Sequence, residues 1–250
     1  MTPLTSAYQS RRLLATQRLR FAFARRDELV WLSATKPSLR SFCTKQNANP
    51  LVSTTTSNVG RFAGAIAGRI RERSSCHVDA IGPAALYNAV KSIVIAGTYL
   101  NESHAGQCLA AFPEKINVAD NHTEDNRVSK AWRVKVALIK STVEELSDPA
   151  LYVARDTNTG LLAGLVAKGL KERGQTDLGA MGAPAISNAF KALLITRTYM
   201  KEDLDLQKET IVATARSNAF KISSGEERSR IILSCIRVPT STLEDKAPSE

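Results

Sequence analysis

The chain repeats itself. Asn58-Val-Gly-Arg-Phe-Ala-Gly-Ala-Ile-Ala-Gly-Arg-Ile-Arg-Glu-Arg73 returns as Asn158-Thr-Gly-Leu-Leu-Ala-Gly-Leu-Val-Ala-Lys-Gly-Leu-Lys-Glu-Arg173, displaced by 100 positions. The register then continues without a gap. Ala80, Gly82, Ala85, Asn88, Ala89, Lys91, Ile95, Thr98 and Tyr99 recur as Ala180, Gly182, Ala185, Asn188, Ala189, Lys191, Ile195, Thr198 and Tyr199. A period this long is not a solenoid unit, so it predicts two tandem domains.

Each copy carries the same element pattern. Val59, Phe62, Ala63, Ile66, Ala67 and Ile70 fall at helical spacing behind Asn58, which is placed as an N-cap. Leu162, Ala163, Val166, Ala167 and Leu170 repeat this behind Asn158. A short apolar stretch follows (Val78 to Ile81; Leu178 to Met181), closed by Gly82 or Gly182 and a nearby proline. It reads as a strand, a tight turn and a helix start. The glycines are expected to supply φ > 0 or a close helix–strand approach. The second helix repeats Ala85, Leu86, Ala89, Val90 and Ile93 as Ala185, Ile186, Ala189, Phe190 and Leu193. Strand candidates flank the helices at Leu51–Thr55, Gln107–Phe112 and Trp132–Ile139, and at Leu151–Ala154, Thr210–Thr214 and Arg230–Val238. The predicted order is β-α-β-α-β-β, twice, with both helices on one face of the sheet.

Charge separates the N-terminal segment from the rest. The formal net charge is +10, yet residues 1–45 hold nine Lys/Arg against Asp27 and Glu28. Residues 46–149 hold eleven against ten, and 150–250 fourteen against twelve. A basic total is therefore weak evidence for a polyanion partner. Arg11, Arg12, Arg18, Arg20, Arg25, Arg26 and Arg40 lie among Leu13, Leu14, Leu19, Phe21 and Phe23. That is the composition of an organellar transit peptide rather than of a secretory signal. Arg40-Ser41-Phe42-Cys43 resembles a mitochondrial processing site, so mitochondrion stands ahead of plastid. The bland alternative is a basic arm that binds RNA or a membrane surface. The expected divisions are a disordered presequence over 1–45, domains over 46–141 and 150–239, a linker over 142–149 and a disordered tail over 240–250.

Some classes are excluded. No stretch approaches the roughly 20 uninterrupted apolar residues of a spanning helix, so no membrane insertion is expected. Cys43, Cys76, Cys108 and Cys235 are too scattered for a disulfide framework. Cys76-His77 and His104 with Cys108 look like ligand pairs, but Thr176, Asp177, Leu204 and Lys208 stand there in the second copy. No metal or cofactor is expected. No nucleophile elbow, Walker loop or dinucleotide fingerprint occurs, so an enzyme is not expected either.

The run Gly60–Arg73, followed by Val78-Asp-Ala-Ile-Gly-Pro-Ala-Ala-Leu-Tyr-Asn-Ala-Val-Lys-Ser-Ile-Val-Ile-Ala96, closely resembles the bacterial stage V sporulation protein S family. The resemblance covers roughly 51–140 and 150–239 and is weakest in the last two strands of each copy. It implies an α+β protein of two tandem Alba-like βαβαββ domains, the type shared with the C-terminal domain of translation initiation factor 3. It also implies nucleic-acid binding. The departures are Ser74, where the family has the glycine kept at Gly174, Tyr87 and Ser187 in place of a small apolar residue, and alanine directly after Asn88 and Asn188. An acidic insert, Asp120–Asn126, occupies a hairpin that Alba-like binders make basic.

Candidate nucleic-acid contacts follow. Lys91 and Lys191 lie opposite the apolar positions of the second helix, one turn after Asn88 and Asn188. They read either as phosphate contacts or as a solvated face whose asparagines fix a neighbouring loop. The second reading is favoured, because one lysine per domain is a weak electrostatic footprint. Arg61, Arg69, Arg71 and Arg73 make the first helix the most basic local surface, against Lys168, Lys171 and Arg173 in the second copy. On the last hairpins Arg127, Lys130, Arg133 and Lys135, with Arg228 and Arg230, could grip an RNA backbone. The expected function is an organellar nucleic-acid-binding protein, with RNA as partner. The alternative is a structural or assembly protein, including a mitochondrial ribosome subunit, whose duplicated domains form a pseudo-dimer. Homo-oligomers through the Alba-like domains fit either reading.

Overall fold

In the computed structural model, residues 49–119, 128–140, 143, 148–201, 208–221 and 225–243 are described. The segment expected to be a presequence, the expected processing site at Arg40–Cys43, Arg127, the acidic insert and most of the expected linker lie outside them.

The first repeat runs β1 (Leu51–Ser53), α1 (Val59–Arg73), β2 (Ser75–Ala80), α2 (Gly82–Leu100), β3 (Gln107–Ala119) and β4 (Val128–Lys140). The second runs β5 (Leu151–Val153), α3 (Thr159–Arg173), β6 (Gln175–Ala180), α4 (Gly182–Tyr199), β7 (Glu209–Lys221) and β8 (Glu227–Pro239), closed by a 3₁₀ turn at Thr240–Leu243. The β-α-β-α-β-β order holds in both repeats.

The helix boundaries follow local chemistry. The Asn58 side chain accepts from the Arg61 N–H at 3.0 Å, and Asn158 accepts from Gly160 and Leu161, so both caps satisfy orphan helix donors. At the other end, Ser74 and Gly174 are left-handed, with φ of 60° and 74°. Glycine reaches that conformation without strain and serine does not, which gives the departure at Ser74 a physical cost. Gly82 and Gly182 have φ of 82° and 80°, as expected from sequence.

The repeats do not stand apart. All eight strands form one sheet in the order β1-β2-β4-β3-β7-β8-β6-β5. β3 and β7 pair antiparallel through Ala110 with Thr214 and Ala111 with Ala213, so the sheet has a pseudo-two-fold axis at this seam. One apolar core runs beneath all four helices, from Ile66, Leu86 and Val134 in the first repeat to Phe190, Leu193 and Leu233 in the second. On the opposite face a smaller cluster gathers Ala110, Ile139, Val212 and Ile236 with Leu243. The third and fourth strands of each repeat are 13 residues long, well beyond the expected bounds. Their outer halves carry each hairpin past its own core toward the helix of the other repeat. Trp132 of β4 meets Phe190 of α4 edge-on at 5.9 Å.

Candidate nucleic-acid interface

Strand alternation sorts the expected contacts onto two faces. In β4 the residues aligned with Cys76, Val78 and Ala80 (Val136, Val134 and Trp132) face the helices, and Lys130 shares their parity. In β3 the same face carries Leu109, Ala111 and Lys115, because Lys115 pairs with Trp132 and Asn117 with Lys130. Arg133, Arg228 and Arg230 lie on the other face.

Three lysines converge where the first hairpin crosses α4. The Lys115 ammonium sits over the Trp132 ring, 3.5 Å from its centroid. Trp132 abuts Phe190, the residue before Lys191. Lys130 is the diagonal neighbour of Lys115 across the hairpin. All three are exposed. Desolvation over the indole lowers the proton affinity of Lys115 below the usual lysine range, and the charges of Lys191 and Lys130 add to that shift. Like charges held together on a hydrophobic footing concentrate positive potential, and a phosphate placed between them would relieve the repulsion.

The remaining candidates are engaged elsewhere or sit outside this cluster. Arg133 donates through Nε and Nη2 to both Asp79 oxygens, at 2.8 and 2.7 Å. Buried Arg230 donates to Asp148 at 2.6 Å and to the Tyr152 hydroxyl at 3.0 Å. Arg228 pairs with Glu226, and Lys168 with Glu172. On α1, Arg69 donates to the Asn49 carbonyl and Arg71 to the Tyr99 carbonyl, while Arg61 and Arg73 are exposed. Lys171 and Arg173 end α3 on exposed positions. The Asn88 amide donates to the Thr54 and Thr55 carbonyls, both at 3.1 Å, and the Asn188 amide to Ala154 and Arg155. Both asparagines therefore fasten the loop before the first helix to the second helix. Lys91 lies 5.4 Å from the Tyr87 ring centroid.

Lys115 is absent from the contacts expected from sequence. Pro113 and Glu114 interrupt the apolar alternation after Phe112, and the predicted strand stops there. Its signal was parity with Leu109 and Ala111, legible only if the strand is carried through the proline. Cys76 and His77 are consecutive in β2, so their side chains leave opposite faces of the strand. Among the described residues no three His, Cys, Asp or Glu side chains are grouped to hold a metal ion.

A model of the family described as stage V sporulation protein S matches residues 51–137 and 149–214, once in each repeat. The chain belongs to the stage V sporulation protein S family. Its fold is Alba-like, in two tandem copies. The second match ends at Thr214, inside β7, and does not reach β8. No curated protein matches the chain at a significant level.

Proposed function

We propose that this protein binds nucleic acid, and specifically RNA within an organelle, without catalysing a reaction. The observation that carries the proposal is the convergence of Lys115, Lys130 and Lys191 on one exposed surface between the first hairpin and α4. Family membership supports it, because Alba-like domains imply nucleic-acid binding. Three clustered ammonium groups suit phosphate oxygens and read no base edges. Contacts of this kind predict affinity that falls steeply with salt and depends little on sequence.

The composition of residues 1–45 supports delivery to mitochondria. Fused to a fluorescent protein, that segment should carry it there; a diffuse cytosolic signal would contradict the targeting. For binding, the test is titration of the full chain with labelled RNA and DNA oligonucleotides of one sequence at low and raised salt. Tighter binding to RNA with a clear salt slope is expected, and no binding to either at low salt would overturn the proposal.

A second reading is a structural or assembly part, such as a mitochondrial ribosome subunit. Its support is that Arg133, Arg197, Arg216 and Arg230 spend their guanidinium groups on contacts inside the protein. Failure of the titration would favour this reading.

A further inference from the structure

The pseudo-two-fold axis gives the molecule two equivalent places where a hairpin crosses the helix of the other repeat. Register fixes the correspondence. Ala80 pairs with Trp132 and Ala180 with Ile231, so Trp132 corresponds to Ile231 and Lys130 to Ser229. Trp132 pairs with Lys115 and Ile231 with Ser217, so Lys115 corresponds to Ser217. Lys191 corresponds to Lys91. The first crossing thus carries three cations, and the second carries Lys91 with Ser217 and Ser229, all exposed. The footing differs as well. Trp132 against Phe190 on one side becomes Ile231 and Val90 on the other, so no indole lies beneath position 217.

We infer that the chain engages one nucleic-acid segment rather than two, on the face built by Lys115, Lys130 and Lys191, and that the face built by Ser217, Ser229 and Lys91 does not bind. This rests on the nucleic-acid reading above and refines it. Duplication normally supplies two like sites and avidity between them. Here the substitutions at two hairpin positions remove that option while keeping the fold. One face then fixes how the bound strand lies relative to the two repeats, which two identical faces would not do.

The test is stoichiometry by native mass spectrometry. The RNA is an oligonucleotide of about 5 nucleotides, near the lower end of the span of a single site. The protein is the full chain with Arg11, Arg12, Arg18, Arg20, Arg25 and Arg26 changed to Gln, so that the N-terminal segment adds no cationic site. One oligonucleotide per chain is expected, with Lys115→Ala/Lys130→Ala weakening binding at least tenfold. Ser217→Lys/Ser229→Lys should admit a second oligonucleotide. Two equivalent oligonucleotides on the unaltered faces would overturn the inference and leave nucleic-acid binding standing. Undiminished binding by Lys115→Ala/Lys130→Ala, or no second oligonucleotide on Ser217→Lys/Ser229→Lys, would overturn the charge argument behind it. No binding at all would overturn the nucleic-acid reading itself.

Discussion

Arg197 donates from Nη1 to the Pro113 carbonyl at 2.7 Å, tying a helix of the second repeat to a strand of the first. Its Nε and Nη2 donate to the Ile211 carbonyl at 3.1 and 2.8 Å, and its guanidinium lies 3.8 Å from the Phe112 ring centroid. Pro113 has no N–H with which to continue the β3–β7 ladder, and the arginine bridges the two strands where their pairing stops. Burial lowers the proton affinity of Arg197 to about 9, which leaves it charged at neutral pH. The equivalent residue in the first repeat is Gly97, beside a cavity of about 310 Å³ that also touches Leu109, Ala215 and Arg216. Among the described residues, the arginine clasp therefore has no counterpart at Gly97.

Arg197→Met should lower stability by about 2–3 kcal/mol, since it removes charge-assisted bonds to one carbonyl of β3 and one of β7. Urea unfolding measures this as a fall in midpoint with an unchanged slope. Gly97→Ala should be neutral or stabilising by up to about 1 kcal/mol, because a Cβ there meets nothing within 4 Å and alanine favours the helix. Equal losses for both substitutions would contradict the one-sided clasp.

Ser74→Gly should stabilise the protein by about 0.5–1 kcal/mol. The left-handed strain of Ser74 is relieved, while glycine's larger unfolded-state entropy takes back part of the gain. Thermal unfolding would show a midpoint raised by a few degrees.

Asn88→Ala and Asn188→Ala should each cost about 1–2 kcal/mol, because each unties a loop held by two hydrogen bonds. RNA affinity should stay unchanged in protein that remains folded. A drop in affinity without a drop in stability would return these asparagines to the binding surface.

Burial pushes the Cys76 and Cys235 thiols up to about 12 from an ordinary value of 9.0. The thiolate is the reactive species, so neither should react with a disulfide reagent at pH 8 in the folded protein. Labelling should appear on unfolding. Across the window from pH 9 to about 12 the unfolded chain loses these protons and the folded one keeps them, so both thiols favour the folded state less as pH rises. Peptide mapping of labelled cysteines at pH 8, with and without urea, checks the first expectation. Rapid native labelling at either site would contradict the burial.

The helices were legible in the sequence because the physics that forms them is local. Asn58 and Asn158 mark the caps, the apolar spacing of Ala63, Ile66, Ala67 and Ile70 marks the buried face, and Gly82 and Gly182 mark the turns. The hairpins were legible in place but not in length. Pro113, Glu114 and Lys115 break the apolar alternation in a strand whose outer half is solvated on one side. Union of the repeats was not legible. The seam consists of Ala110, Ala111, Ala213 and Thr214, residues that name no partner, and its clasp is a single arginine absent from the first repeat. The lysine cluster belongs to the same class. Lys115 and Lys191 are 76 positions apart, and only the crossing of one repeat's hairpin over the other's helix joins them.

The decisive measurement is the salt dependence of RNA binding by three full-length proteins: the unaltered chain, Lys115→Ala/Lys130→Ala/Lys191→Ala, and Arg61→Ala/Arg69→Ala/Arg71→Ala. Each phosphate contact contributes nearly one unit to the log–log slope. The lysine variant is predicted to lose about two to three units of slope and most of its low-salt affinity, while the arginine variant loses less, since Arg69 and Arg71 already donate to backbone carbonyls. A lysine variant with the affinity and slope of the unaltered chain would contradict the assignment of this face.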